Sequence, residues 1–167
     1  EMQRLAHEDP LTGLLNRRAF EAKLALVSPL KHKQARGMLL MLIDLDNFKQ
    51  INDSYGHQVG DIVLNHAAGI MKQVLRTEDA LCRWGGDEFI ALLEAGSGEQ
   101  AIKIGHRLRN ALNKSPLPHA EQTLRVSASV GLAWFHPQRS LDDNIAQADK
   151  ALYHAKRDGI GVTLFSA

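Results

Sequence analysis

Ala80-Leu81-Cys82-Arg83-Trp84-Gly85-Gly86-Asp87-Glu88-Phe89-Ile90-Ala91-Leu92-Leu93 reads as two apolar strands joined through a glycine pair. A Gly-Gly step between strand-forming runs signals a two-residue hairpin, because glycine accepts the positive φ that such a tight turn demands. A hairpin at the centre of the chain argues against a parallel doubly wound sheet, whose strands are joined through crossover helices. The sheet is therefore expected to be mixed or mostly antiparallel.

Upstream, Met38-Leu39-Leu40-Met41-Leu42-Ile43 runs apolar without alternation and stops at Asp44-Leu45-Asp46. Short and sharply ended, it reads as a strand buried on both faces. Asn47 to about Asp53 suits a short helix and Ser54-Tyr55-Gly56 a turn. Asp61 can cap a helix whose apolar positions Leu64, Ala67, Ala68, Met71, Val74 and Leu75 recur at three-and-four spacing. Further back, Asp9-Pro10 opens a helix-friendly stretch to about Leu26, and Ser28 to Gly37 is a polar loop. Downstream, Gly98 to about Asn113 is helical. Leu124 to Trp134 alternates, with Arg125, Ser127 and Ser129 on a polar face. Ser140 and Asp143 form a capping box for a helix ending near Gly159, and Val162 to Phe165 closes the sheet. The order of elements describes one α/β sandwich.

Composition narrows the function classes. The 167 residues are 44% hydrophobic and 23% charged, which fits a folded domain with a substantial core. Twenty basic against nineteen acidic residues leave a charge of +1, with no basic excess for nucleic acid or a membrane surface. Cys82 is the one cysteine, so no internal disulfide can form, and the histidines show no zinc-protease spacing. No apolar run is long enough to span a bilayer. The chain opens on Glu1-Met2 as if in mid-helix, so residues 1–8 read as the end of an upstream helix or linker and 9–167 as the domain of a longer, reducing-compartment protein.

Two carboxylate groups stand out: Asp44 and Asp46 at a strand end, and Asp87-Glu88 just after the glycine pair. If the two strands are neighbours, Asp44 and Asp87 converge. Paired carboxylates with an open side suit Mg2+, which keeps waters and binds substrate phosphates. The glycines would let a triphosphate approach the backbone. Each feature also has a plain structural explanation: Asp46 or Asn47 as a helix cap, Gly-Gly-Asp as a turn, Asp61 as an N-cap. Gly96-Ser97-Gly98-Glu99-Gln100-Ala101 fits a loose dinucleotide pattern but lacks a βαβ setting. A P-loop is absent.

Gly85-Gly86-Asp87-Glu88-Phe89 closely resembles the signature of the GGDEF domain, the catalytic domain of bacterial diguanylate cyclases. The similarity extends over Asp9-Pro10-Leu11-Thr12-Gly13-Leu14-Leu15-Asn16-Arg17-Arg18, over Asp44-Leu45-Asp46-Asn47-Phe48-Lys49-Gln50-Ile51-Asn52-Asp53 through Tyr55-Gly56-His57 and Gly60-Asp61, and over Ser129-Val130-Gly131 and Ala148-Asp149 through Tyr153-His154-Ala155-Lys156. These landmarks cover nearly all of Asp9 to Gly159 in order.

The resemblance implies a mixed five-stranded sheet flanked by helices, related to the palm of nucleotidyl cyclases and polymerases. It also implies condensation of two GTP into cyclic di-GMP across a homodimer. Asp44, Asp87 and the Leu45 carbonyl would hold Mg2+, with Mn2+ as an alternative. Asp87 would be the proton acceptor, Glu88 a supporting acid, and Lys49 and Lys156 would face the phosphates. Phe48, His57, Gly85 and Gly86 fall in the family's substrate-binding segments. Asn52 and Asp61 match the guanine-reading positions, since an ionised Asp accepts from the guanine N1–H and N2–H2 donors. Arg76 and Asp79 match an R-x-x-D product-inhibition site for cyclic di-GMP. The expected setting is the cytoplasm, with an upstream sensory domain, a parent either soluble or membrane-anchored, and no nucleic-acid partner. One departure stands out: where the family continues with Arg-Asn after Gly159, this chain has Ile160-Gly161, and Arg157 is a candidate substitute. The competing functions are a nucleotide-sensing module without turnover and a dimerising output domain.

Overall fold

The computed structural model describes residues 6–27 and 37–166. In chain order the elements are α1 (Arg17–Ala25), β1 (Gly37–Leu45), α2 (Phe48–Tyr55), α3 (His57–Val74), β2 (Ala80–Arg83), β3 (Glu88–Ala95), α4 (Gly98–Asn113), β4 (Leu117–His119), β5 (Gln122–Leu124), β6 (Ala128–Trp134), α5 (Leu141–Arg157) and β7 (Val162–Leu164). Five strands form a mixed sheet in the order β2-β3-β1-β6-β7. Only the β6–β7 pair is parallel. The expected polar loop and most of residues 1–8 lie outside the described residues. Among the described residues, no helix is long and apolar enough to cross a membrane.

The central place of β1 explains its unbroken apolar run. Leu39, Met41, Ile43 and Leu45 pack with Val63, Leu64, Ala67 and Met71 of α3 and Leu108 and Leu112 of α4. Leu40 and Leu42 pack with Phe20 and Leu24 of α1 and Ala148 and Leu152 of α5. Alternate side chains thus feed two cores, one on each face of the sheet. Period two also sends Asp44 to the α5 side, where Lys156 waits.

Several local expectations need correcting. The 9–12 segment is a turn: Asp9 Oδ2 accepts from the Thr12 amide and hydroxyl, each at 2.8 Å. The helix begins only at Arg17, where the Asn16 side chain accepts from the Ala19 amide. The β2–β3 connection is wider than a two-residue turn, since β2 ends at Arg83, β3 begins at Glu88 and residues 84–87 form the loop. The amides of Trp84 and Gly85 both donate to the Glu88 carbonyl, at 2.8 and 3.2 Å, and neither Gly85 nor Gly86 takes the left-handed conformation. Arg83 braces the loop by donating to the Gly86 carbonyl at 3.0 Å.

Asp61 is not an N-cap. The chain turns at Gly56 (φ 91°), which takes the cap position five residues earlier than expected, so that α3 starts at His57. Asn47 and Asp46 do not cap α2 through their side chains either: Asn47 is left-handed at φ 58° and makes no capping bond. The 124–134 strand is interrupted between Leu124 and Ala128, and β6 has no polar face. It lies between β1 and β7 under α5, so closely that a Cβ on Gly131 would strike the backbone of Ala148 and Leu152.

Candidate functional site

A cleft of about 580 Å3 opens where β1 ends, bounded by the start of α2, the β2–β3 loop, the entry to β6 and the C-terminal turn of α5. The antiparallel register sets Asp44 opposite Glu88, and the Leu45 amide donates to the Asp87 carbonyl at 3.2 Å. Sheet geometry therefore carries Asp44, Leu45 and Asp87 into one place, although 43 positions separate the two acids in the chain. Phe48, Lys49 and Lys156 line the same cleft.

The two acids of the β1 end have different duties. Asp46 is fully engaged: Ser129 Oγ donates to Oδ1 at 2.8 Å and Ser127 Oγ to Oδ2 at 3.1 Å. Its own amide donates to the Ser127 carbonyl at 2.9 Å. Asp46 thus ties the end of β1 to the entry of β6. Asp44 pairs through Oδ2 with Lys156 Nζ, but its Oδ1 is buried without a hydrogen-bond partner. A buried unpartnered carboxylate oxygen is costly.

Burial holds the Asp44 carboxyl above the usual carboxylate range; the hydrogen bond and charge of Lys156 oppose the rise, and Asp87 and Glu88 reinforce it. For Lys156, burial works toward a lower value. The hydrogen bond to Asp44 and the charges of Asp44, Asp46 and Asp87 outweigh it and raise the ammonium above its ordinary range. The ion pair alone does not compensate the desolvation of Asp44.

The donor set suits a hard cation. Asp44 and Asp87 supply carboxylates and Leu45 a strand-end carbonyl, and the unpartnered Oδ1 is an oxygen that a cation would satisfy. Among the described residues no three acidic, histidine or cysteine side chains converge on one point.

The other expected residues sit apart from this cleft. Asn52 on α2 faces α3, its Oδ1 buried without a partner, and a Cβ on Gly60 would run into that oxygen. His57 and Asp61 are exposed on the first turns of α3. Glu88 is half-buried on β3 and does not line the cleft. Gly85 and Gly86 form the loop beside it. Arg76 and Asp79 border a second cleft of about 370 Å3 with Lys23, Lys72 and Thr77. There the Arg76 amide donates to Asp79 Oδ2 at 2.7 Å, while burial holds the Asp79 carboxyl above its usual range.

Sequence reasoning missed Arg109, Ser127 and the tying role of Asp46. Ser127 appeared only as part of an alternating strand. Arg109 sits on α4, far from every motif, and nothing in its local sequence separates it from a solvated helix arginine. Arg157, the expected substitute base, pairs with Asp158 at 3.0 Å and does not line the cleft.

The convergence of these motifs at one strand end agrees with comparisons at the level of the whole chain. The family profile described as "Diguanylate cyclase, GGDEF domain" matches residues 6–161. This chain belongs to the GGDEF domain family. The domain is 38% identical over 159 residues to the diguanylate cyclase DgcP of Pseudomonas aeruginosa, covering 95% of this chain and 24% of that protein. To the diguanylate cyclase DgcZ of Escherichia coli it is 32% identical, covering 94% of this chain and 52% of the relative. It thus spans about a quarter and about half of these two relatives. The crystal structure of the coiled coil and GGDEF domain of DgcB from Caulobacter crescentus, in complex with c-di-GMP, superposes with a TM-score of 0.86 at 28% identity, covering 98% of this chain and 87% of that one. The mixed, mostly antiparallel five-stranded fold expected of the GGDEF domain is the one observed.

Proposed function

We propose that this domain condenses two GTP into cyclic di-GMP with release of two pyrophosphates, using Mg2+ or Mn2+, with two domains facing each other in a homodimer. The observation that carries the reading is the cleft at the end of β1, where Asp44, with one unpartnered buried oxygen, meets Asp87 between Lys49 and Lys156. Two close relatives are named diguanylate cyclases.

In this reading Asp44, Asp87 and the Leu45 carbonyl hold the divalent ion, which neutralises phosphate charge and favours the attacking 3′-oxygen as an alkoxide. Lys49 and Lys156 orient the triphosphate. Asp87 takes the proton of the ribose 3′-hydroxyl, and Glu88 supports it from β3. Asn52 and Asp61 read guanine, and an adenine in their place would leave Asp61 unpaired. Phe48, His57, Gly85 and Gly86 shape the substrate's surroundings. Arg76 and Asp79 bind cyclic di-GMP as a product-inhibition site, with the guanidinium free to pair with phosphate. The parent protein places the domain, spanning 9–167, behind a sensory segment in the cytoplasm, where GTP is available.

Incubation with GTP and Mg2+, followed by chromatography for cyclic di-GMP and an assay for pyrophosphate, tests the reaction. Product from the wild type and none from Asp87→Asn is the expected result. GTP binding without turnover in a protein verified as dimeric would instead make the domain a sensor.

A further inference from the structure

The cations of the cleft are not equivalent. Lys156 is already paired with Asp44, and Lys49 is exposed on α2. Arg109 enters the same cleft from α4. Its Nε donates to the Ala128 carbonyl at 2.7 Å, and among the described residues no carboxylate pairs with it. Its place depends on the residue beside it: Gly161 turns at φ +83°, and a Cβ there would collide with the guanidinium. Ile160, just before that glycine, is apolar and 55% exposed.

We propose that Arg109 is a phosphate-binding residue, its guanidinium seated over Gly161 and steadied by the Ala128 carbonyl, gripping the polyphosphate of the nucleotide where Ile160 offers no charge. This rests on reading the cleft as a nucleoside-triphosphate site. With Nε–H engaged, the terminal nitrogens keep their donors in a planar fork that matches two phosphate oxygens. Tethering at Nε restricts the side chain before the ligand arrives, so less entropy is lost on binding. The charge thus comes from another element: Ile160 supplies none, and Gly161 leaves the space that the Arg109 guanidinium occupies.

Titration calorimetry with Mg2+ and 3′-deoxy-GTP, which lacks the attacking hydroxyl, tests this together with pyrophosphate and guanosine. Arg109→Ala is expected to weaken 3′-deoxy-GTP and pyrophosphate about tenfold or more while guanosine binding stays within about twofold. Ile160→Arg in that background recovers most of the loss, and Arg157→Ala alone binds like the wild type. Unchanged pyrophosphate affinity in folded Arg109→Ala overturns the proposal. So does a parallel loss of guanosine binding, which would reduce Arg109 to a strut for β6.

Should the alanine variant not fold, the wild type still decides. Phenylglyoxal modification of Arg109, followed by peptide mass spectrometry, is expected to slow when Mg2+-pyrophosphate is bound, and an unaltered rate sinks the assignment. The pyrophosphate arm carries no base, so it separates the two readings. Equal affinity for 3′-deoxy-ATP would remove the guanine reading and leave Arg109 standing, whereas a wild type that binds neither nucleotide nor pyrophosphate overturns both.

Discussion

The two clefts of this domain hold their buried carboxylates by different means. At the end of β1, Asp44 is held by rigid central strands beside Asp87 and Glu88, with one oxygen unpartnered and only Lys156 to offset its burial. In the second cleft, Asp79 sits in the connection after α3; burial raises it too, and its Oδ2 accepts from an amide three residues away in its own turn. The first arrangement is imposed by the tertiary fold against local electrostatics. The second is a local motif that needs only its own few residues. A site completed by a metal and a polyphosphate can sustain the first, because the ligand supplies the missing charge.

The largest expected effect breaks the first cleft. If Asp44 holds the proposed divalent ion, Asp44→Asn should lower turnover by on the order of 10^3, measured as cyclic di-GMP formed per unit time. Mg2+ is expected to raise the melting temperature of the wild type, and the same substitution should abolish that rise, since a ligand stabilises only through binding. Retention of that rise in the variant would place the ion elsewhere.

Next in size is the tie that supports this cleft. Asp46→Ala frees the hydroxyls of Ser127 and Ser129 and should cost about 2 kcal/mol of folding stability, read from urea denaturation. A loss below a few tenths would mean that the strand ends hold without it. Asp44→Asn should show no comparable loss, which is the contrast between neighbouring acids on one strand end.

Gly60→Ala probes the base side. Alanine is a better helix former than glycine by about 1 kcal/mol, yet its Cβ would meet the Asn52 carboxamide. The variant's preference for GTP over ATP should fall by about tenfold. Unaltered preference would show that Asn52 is free to move without consequence. Smallest is the effect expected in the second cleft: Arg76→Ala should weaken cyclic di-GMP binding by several-fold to about tenfold, because Asp79 keeps the geometry of its own turn. Wild-type product affinity in that variant would take cyclic di-GMP away from this cleft.

Legibility in the sequence followed the range of the interactions. The β1 run, the hairpin pair, α4 and the Ser140 cap were readable because each depends on neighbours a few positions apart; Ser140 indeed accepts from the Asp143 amide at 3.1 Å. The hairpin's existence was readable, but its turn was not: Arg83 and Glu88 close a wider loop through contacts that no dipeptide rule contains. Asp61 and Asp46 were misread as caps for a related reason. Aspartate suits a cap, and only the glycine turn at 56 and the hydroxyls of Ser127 and Ser129 decide against it.

By itself, the sequence determined the family, the central buried strand, the antiparallel hairpin and the identity of the acids and lysines of the site, since these rest on motif order and period-two or period-3.6 patterning. The tertiary structure alone decided which acid is tied down and which is left with an unpartnered oxygen. It also decided that Arg109 rather than Arg157 reaches the cleft. Side chains 81 and 83 positions apart meet at Asp46, and Arg109 enters over a glycine more than 50 positions away. Desolvation and hydrogen-bond satisfaction are properties of the packed neighbourhood, and that neighbourhood exists only once the sheet has closed.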